Sequence, residues 1–354
     1  MKARIVLLSL AAVLIFSMVS CTKEDPGHSD DRETSGTEPA TTSIEENLTA
    51  TETDIIIHPG EWALPGTLTL PGGEGPFPLV IFVHGSGPCD RDETVGKIKP
   101  FKDLAADLAK QGIATIRYDK RTYLYASKMA SDVHLTVQEE TVEDVLHAVA
   151  YGKSDKNIDA DHIFVAGHSL GGYLIPRIDQ ADTDGDIAGY ISLAGSARPL
   201  MELMAEQTEY ILSVTPGVSE ADRTAQLGLI ADARTAIENL TKADAGSSAV
   251  IMGACPSYWL DLADYAPAQE AKAVEKPMLF LWGEHDYQVT AKDFALWRGA
   301  LEEREDVSFK QYPKLTHTFT STEEMGKPED YQTFANVDPV VAEDIGAFVL
   351  EHTR

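Results

Sequence analysis

The chain has 354 residues, enough for one large folded domain or two small ones, and 43% of them are hydrophobic, so a sizeable core is expected. Its 57 acidic and 29 basic side chains give a formal net charge of -28, which argues against nucleic acid, anionic lipid surfaces and polyanionic substrates as partners. Neutral or cationic small molecules remain possible substrates. Solubility is a simpler explanation of the acidic composition than attraction of a charged substrate.

The N-terminal segment predicts an export signal followed by a tether. Within residues 1–21, the basic residues Lys2 and Arg4 are followed by an apolar run that is too short to span a membrane comfortably. This is the pattern of a signal peptide. The run ends in Val-Ser-Cys, which resembles the lipobox of bacterial lipoproteins and implies lipidation of Cys21 and anchoring outside the cytoplasm. Ordinary secretion or an uncleaved anchor is the alternative. Residues 22–53 lack apolar periodicity and predict a disordered acidic tether.

Strand and helix patterns alternate from residue 54 onward, which predicts an α/β domain over residues 54–354. Two short antiparallel strands lead into an unbroken apolar run, which is typical of a central parallel strand covered on both faces. Strands are predicted at 55–57, 62–70, 78–83, 113–118, 162–166, 187–193, 277–282 and 307–312, and helices at 101–111, 136–151, 291–301 and 339–352. The carboxyl ends of the parallel strands are the expected place for a site.

The alternation stops between residues 199 and 274, where apolar residues recur at helical spacing. We expect a helical cap over the strand ends, with helices that merely pad the fold as the alternative. Ser219, followed by acidic residues, predicts the start of one of these helices. Tyr258 and Trp259 are candidate walls of a substrate pocket, but buried aromatic residues are equally often part of a core.

The most informative motif is the run Gly-His-Ser-Leu-Gly at residues 167–171, which ends one apolar strand and opens a helix. In this context G-x-S-x-G predicts a nucleophile elbow, in which a strained turn presents Ser169 and the flanking glycines relieve crowding. The amide of Leu170 has no acceptor within the helix that it opens, so it is a candidate donor to an oxyanion beside Ser169. The alternative is a chance glycine-rich turn.

Two further residues follow later strands and complete a catalytic triad. Asp286 comes after the strand at 277–282, and His317 comes after the strand at 307–312. A serine hydroxyl becomes a good nucleophile when an imidazole accepts its proton and a carboxylate orients that imidazole. The order Ser169, Asp286, His317, with each residue beyond a strand end, predicts this arrangement. Asp119 also ends a strand, but the two basic residues after it favour a structural charge cluster.

These features together resemble the α/β-hydrolase family over residues 53–354. The resemblance implies a mostly parallel central sheet flanked by helices. By analogy with the family's H-G-type loop, it also implies that Ser86 supplies the second oxyanion amide and that His84 braces that loop rather than acting as a base. Neither a metal nor another cofactor is expected, because the histidines and cysteines show none of the usual ligand spacings.

Four blocks of sequence, at 84–93, 117–121, 258–262 and 283–289, more narrowly resemble bacterial esterases related to dienelactone hydrolases. Cys89 and Thr122 depart from that group's pattern, which leaves the rim of the pocket in question. The resemblance implies hydrolysis of small carboxylic esters, and we expect short acyl chains to be preferred.

Other functions remain open on the same fold. They are a serine aminopeptidase or other peptidase, an acyltransferase, and a non-enzymatic binding module, although the last usually lacks a member of the triad. Cys89 and Cys255 are the two cysteines that remain beside Cys21, and two free thiols are slightly favoured over a disulfide between them.

Overall fold

The computed structural model describes residues 49–353. The expected signal segment, the lipidation site Cys21 and most of the expected tether at residues 22–53 lie outside the described residues. The first strand, β1 (Thr51–Ile57), begins before the expected domain start at residue 54. The folded domain therefore takes up the last residues that composition assigned to the tether.

The described chain forms one eight-stranded sheet. The strands after β1 are β2 (Leu64–Leu70), β3 (Phe77–Val83), β4 (Ala114–Tyr118), β5 (Ile158–His168), β6 (Gly189–Leu193), β7 (Met278–Gly283) and β8 (Val307–Tyr312). Their order in the sheet is β1-β2-β4-β3-β5-β6-β7-β8. The pairs β1–β2 and β2–β4 are antiparallel, and all later pairs are parallel. The expected α/β class, with antiparallel strands leading into a mostly parallel sheet, is confirmed.

Helices cover the sheet. They are α1 (Pro100–Ala109), α2 (Arg121–Leu124), α3 (Ala126–Ala130), α4 (Glu143–Ser154), α5 (Leu170–Tyr173), α6 (Ile175–Ala181), α7 (Leu200–Val214), α8 (Glu220–Glu238), α9 (Pro256–Leu262), α10 (Pro267–Glu270), α11 (Ala291–Leu301) and α12 (Pro339–Glu351).

The apolar run of β3 explains why the sheet is covered on both faces. Side chains alternate between the faces of a strand. Accordingly Leu79 and Ile81 belong to one hydrophobic cluster, with α4, α6 and α11, while Val80 and Phe82 belong to a second cluster, with α1 and α12. All four side chains are fully buried. An unbroken apolar strand is therefore what this three-layer arrangement requires.

The helix expected at 136–151 begins differently. A π-type turn, Gln138–Val142, precedes α4, and its wider backbone turns Glu140 into the interior. Glu140 forms an ion pair there with Lys120, which follows β4. Apolar periodicity does not signal such a turn, because the residue that it buries is charged.

The segment between β6 and β7 is helical and contains α7, α8, α9 and α10. Ser219 caps α8, because its hydroxyl accepts a hydrogen bond from the Asp222 amide at 3.1 Å. α7 contacts the loops that follow β7 and β8, where Gln207 donates to the carbonyl of Gln288 at 3.0 Å and Tyr210 to that of Gly326 at 2.9 Å. Among the described helices, none has both the length and the apolar character needed to cross a membrane.

Candidate active site

Ser169 lies at the sharp turn between β5 and α5. Its backbone has φ 51° and ψ -111°, a conformation that is strained for a residue with a side chain and is typical of functional sites. The turn needs the two flanking glycines. A Cβ on Gly167 would overlap the backbone of Gly171, and a Cβ on Gly171 would lie 2.5 Å from the Val83 carbonyl oxygen. The structure thus forms the elbow geometry around a half-buried serine.

His317 and Asp286 meet at the ends of two neighbouring strands. Nδ1 of His317 lies 2.7 Å from Oδ2 of Asp286, in the loops after β8 and β7. The other carboxylate oxygen accepts the amides of Gln288 at 2.7 Å and Val289 at 3.0 Å. Because an ionised carboxylate only accepts hydrogen bonds, Nδ1 of His317 holds the proton of this pair. Nε2 then has the lone pair that a general base needs.

His317 is also joined to the elbow. Nε2 of His168, the residue before Ser169, lies 2.9 Å from the backbone oxygen of His317, and the two imidazole rings are 4.6 Å apart. His317 and Asp286 are 5% and 1% exposed. The structure therefore gathers the histidine, the carboxylate and the elbow at the carboxyl edge of the sheet.

The loop after β3, residues 84–88, lies against the elbow, and we call it the oxyanion loop. A Cβ added to Gly85 would stand 3.2 Å from Cβ of Ser169, so the loop backbone lies close to the serine and a side chain at this position would crowd it. Between residues 49 and 353, the amides of Ser86 and Leu170 find no acceptor. Two N–H groups near one serine are therefore available to a ligand oxygen.

His84 has the bracing role that its loop position predicts. Its Nε2 lies 3.0 Å from the carbonyl oxygen of Asp90. Burial, with the nearby Lys120 charge, lowers the pKa of His84 to about 4. The imidazole is therefore neutral near pH 7 and holds the loop together.

A buried ion pair beneath the oxyanion loop is a feature that sequence analysis missed. Oε1 of Glu93 accepts the Gly85 amide at 2.6 Å, and Oε2 lies 3.0 Å from Nδ1 of His168. Burial alone raises the pKa of a carboxyl group, but the neighbouring His168 charge holds the pKa of Glu93 below its ordinary value. Burial likewise opposes the charge on His168, yet Glu93 raises the pKa of that imidazole. Glu93 lies within the block at 84–93, but nothing in its spacing signals its partner.

Asp119 is part of a structural charge cluster, as expected. Its carboxylate binds Arg91 through three hydrogen bonds, from the backbone amide, Nε and the terminal guanidinium nitrogen. Its two basic neighbours face other acids: Lys120 pairs with Glu140, and Arg121 pairs with Asp144.

Tyr258 and Trp259 lie in the core, which is one of the two roles that their aromatic character allows. Each is 4% exposed and belongs to the larger hydrophobic cluster. The Tyr258 hydroxyl donates to Glu140 at 2.8 Å, and the Trp259 indole donates to the Ile251 carbonyl at 2.9 Å. Their polar atoms are satisfied within the protein, so the alternative of core aromatic residues is the one that the structure favours.

Cys89 and Cys255 are free thiols in the structure. Cys89 lies 3.8 Å from the Ser86 carbonyl oxygen, and Cys255 lies 3.4 Å from that of Leu135. Burial raises the pKa of the Cys89 thiol to about 12, which makes it a poor nucleophile at neutral pH. Over residues 49–353, no three His, Cys, Asp or Glu side chains cluster as a metal site would require.

Comparisons with known proteins concern the family and the fold of the chain. A family model described as serine aminopeptidase, S33, matches residues 76–324. Esterase EstD of Thermotoga maritima is 36% identical over 301 residues, a match that covers 85% of this chain and 68% of EstD.

Two solved structures have the same fold. Esterase PF2001 of Pyrococcus furiosus superposes with a TM-score of 0.53 at 13% identity, covering 89% of this chain and 96% of that one. Est1E of Butyrivibrio proteoclasticus superposes with a TM-score of 0.52 at 18% identity, covering 85% of this chain and 98% of its own. At these identities the likeness concerns the fold alone.

Proposed function

This chain belongs to the serine aminopeptidase S33 family of α/β-hydrolases, and we propose that within it the chain is a serine carboxylesterase acting through Ser169. The main support for the proposal is the buried hydrogen bond between His317 and Asp286, which lies next to the strained turn at Ser169. The 36% identity to an esterase favours esters over other acyl substrates.

In the proposed reaction, Nε2 of His317 takes the proton of the Ser169 hydroxyl while Oγ attacks the ester carbonyl carbon. A new C–O bond forms, the carbonyl π electrons move to oxygen, and the amides of Ser86 and Leu170 donate to that oxyanion. When the intermediate collapses, the imidazolium gives its proton to the departing alcohol. Water then removes the acyl group from Ser169 by the same steps.

Asp286 supports both halves of this cycle. It fixes Nδ1 of His317 as the protonated nitrogen, and its charge stabilises the imidazolium that forms during each step. Two backbone amides hold the far oxygen of the carboxylate, so the pair cannot rotate away without losing several hydrogen bonds.

We propose small neutral esters with short acyl chains as the substrates. The helical segment between β6 and β7 reaches the loop of Asp286 through Gln207, which supports a restricted entrance. In a narrow apolar pocket each methylene gains about 1–3 kcal/mol while it fits, and steric exclusion removes the gain beyond that length. Preference should peak between acetyl and butyryl and fall steeply by octanoyl.

A second candidate is an aminopeptidase, which the description of the matching family model favours. The test compares p-nitrophenyl esters from acetyl to decanoyl with aminoacyl p-nitroanilides, using the full chain and Ser169→Ala as the control. We expect ester hydrolysis that depends on Ser169 and little anilide cleavage. Faster anilide cleavage would reverse the assignment, and esters combined with an alcohol acceptor would reveal any acyl transfer.

We further propose that the enzyme is exported as a lipoprotein anchored through Cys21. The support is the sequence of residues 1–21, which lie outside the described residues. Expression of the full chain in a bacterial host with labelled palmitate, beside Cys21→Ser, tests this. Label in both variants, or in neither, would reject lipidation at Cys21, and plain secretion would leave the protein in the soluble extracytoplasmic fraction.

A further inference from the structure

The peptide between Gly85 and Ser86 is held from its carbonyl side by a buried ammonium group. Nζ of Lys120 donates to the Gly85 oxygen at 2.9 Å. Lys120 follows β4, whereas His317 and Asp286 follow β8 and β7. The Lys120 side chain is only 2% exposed. A lysine so completely buried must gain from specific partners, because desolvating its charge is costly.

The geometry of a peptide links this contact to the oxyanion loop. In a trans peptide unit, the C=O and N–H bonds point in opposite directions. The carbonyl of Gly85 and the amide of Ser86 belong to one such unit, so the ammonium that binds the carbonyl also sets where the amide points. Glu93 holds the Gly85 amide in the preceding unit. Buried charges thus restrain both polar backbone groups of Gly85.

The charge on Lys120 is compensated within the same cluster. Its Nζ lies 2.6 Å from Oε1 of Glu140, and the hydroxyl of Tyr258 donates to Oε2 at 2.8 Å. We call Lys120, Glu140 and Tyr258 the buried anchor. Tyr258 lies in α9, within the helical segment between β6 and β7, so the anchor also joins that segment to the oxyanion loop.

We propose that Lys120 is a positioning residue that orients the Ser86 amide for oxyanion binding. This rests on the proposed esterase function. A charge-assisted hydrogen bond to a carbonyl is roughly twice as strong as a neutral one, and it polarises the N–H of the same peptide unit. The amide is therefore aligned and strengthened before the substrate carbonyl becomes charged, which is what preorganised stabilisation requires.

The neighbouring pair Arg121 and Asp144 provides a matched control. It is equally buried and joins the same two segments of chain, but its hydrogen bonds reach no residue of the oxyanion loop. Neutralising either pair removes one buried ion pair. Only neutralising the Lys120–Glu140 pair should weaken the stabilisation of the oxyanion.

The experiment compares the double variants Lys120→Met/Glu140→Gln and Arg121→Met/Asp144→Asn with the wild type. The second substitution in each avoids leaving a lone buried carboxylate, and in the first the Tyr258 hydroxyl still has an acceptor. For each folded protein we would measure kcat and KM for p-nitrophenyl butyrate per fluorophosphonate-titrated site. We would also measure Ki for an alkyl trifluoromethyl ketone, which forms an oxyanion adduct with a serine.

Loss of one oxyanion donor typically lowers kcat about 100- to 1000-fold, and misalignment should cost less, about 10- to 100-fold. We expect this loss of about 10- to 100-fold in kcat for the Lys120 variant, while its KM stays within about twofold of the wild-type value. Its Ki should rise by the same factor by which kcat/KM falls. The Arg121 variant should lose thermal stability but keep kcat and Ki within about threefold.

A Lys120 variant with wild-type kcat and Ki would overturn the proposal, as would a loss shared equally by the Arg121 variant. An effect confined to KM would also overturn it. If the wild type itself neither hydrolyses esters nor takes the fluorophosphonate label, it is the proposed function that fails.

Discussion

Glu93→Gln tests the role of the buried pair beneath the oxyanion loop. The glutamine oxygen still accepts the Gly85 amide, but the negative charge opposite His168 is lost. Both partners are at most 5% exposed and lie 3.0 Å apart. At an effective dielectric constant of about 20, the gross attraction at this distance is roughly 5 kcal/mol.

The net loss should be smaller, for two reasons. Forming the pair cost desolvation of both groups, and His168 can release its proton in the variant instead of staying charged and alone. We expect about 2 kcal/mol of lost stability, which is within the usual range for a single substitution. A domain of roughly 300 residues has an unfolding entropy near 0.6 kcal/mol/K, so Tm should fall by about 3 °C.

The loss should depend on pH in a defined direction. The pKa of His168 is raised, so its contribution is complete below about pH 6.5 and disappears as the pH rises through the folded pKa. The pKa of Glu93 is lowered, so its contribution is present above about pH 4.5 and disappears as the pH falls through its folded pKa. The difference between wild type and variant is therefore largest near pH 5 to 6.5 and shrinks in alkali.

Thermal unfolding from pH 5 to pH 10 checks this, with the exposed Glu302→Gln as a control that removes the same charge. A Tm difference that stays constant with pH, or that grows above pH 8, would refute the reasoning. So would an equal effect of the surface variant.

Four further predictions concern the triad, helix α8, the elbow and the thiols. Asp286→Asn should lower kcat about 10,000-fold in a protein that remains folded by circular dichroism, and a loss below tenfold would contradict its role. Gly228→Ala, in α8 with no atom near the new Cβ, should raise stability by up to about 1 kcal/mol in denaturant unfolding. Gly171→Ala should instead destabilise the fold, because the Cβ meets the carbonyl of the neighbouring strand; a rise in stability there would contradict the elbow geometry. Alkylation without reduction, followed by peptide mapping, should modify both Cys89 and Cys255 in the unfolded protein, whereas a peptide pair cross-linked by sulfur would contradict two free thiols.

Local patterns in the sequence predicted much of the fold. The apolar run of β3 predicted a strand covered on both faces because burial on two sides removes the usual alternation of polar residues. The elbow motif predicted a strained turn at Ser169 because only glycines tolerate the close backbone approach on either side. In both places, a few consecutive residues determine the local structure, so the sequence alone predicts it.

Contacts between distant residues were not predictable in the same way. Glu93 and His168 are far apart in the chain, and so are Lys120 and Glu140; nothing in their local sequence distinguishes a buried charge from a solvated one. The π-type turn at Gln138–Val142 buries the charged Glu140, so apolar periodicity did not predict this turn either. Tyr258 illustrates the same limit, because its aromatic character fitted both a pocket and a core.

The central claim is that Ser169 is the nucleophile of a serine esterase, and labelling of that residue tests it most directly. A fluorophosphonate probe should modify the wild type, and peptide mass spectrometry should place the probe on Ser169. Ser169→Ala should take no label and lose nearly all ester hydrolysis, a drop of roughly a million-fold in kcat. Substantial hydrolysis by pure Ser169→Ala, or the label on another residue, would contradict the account.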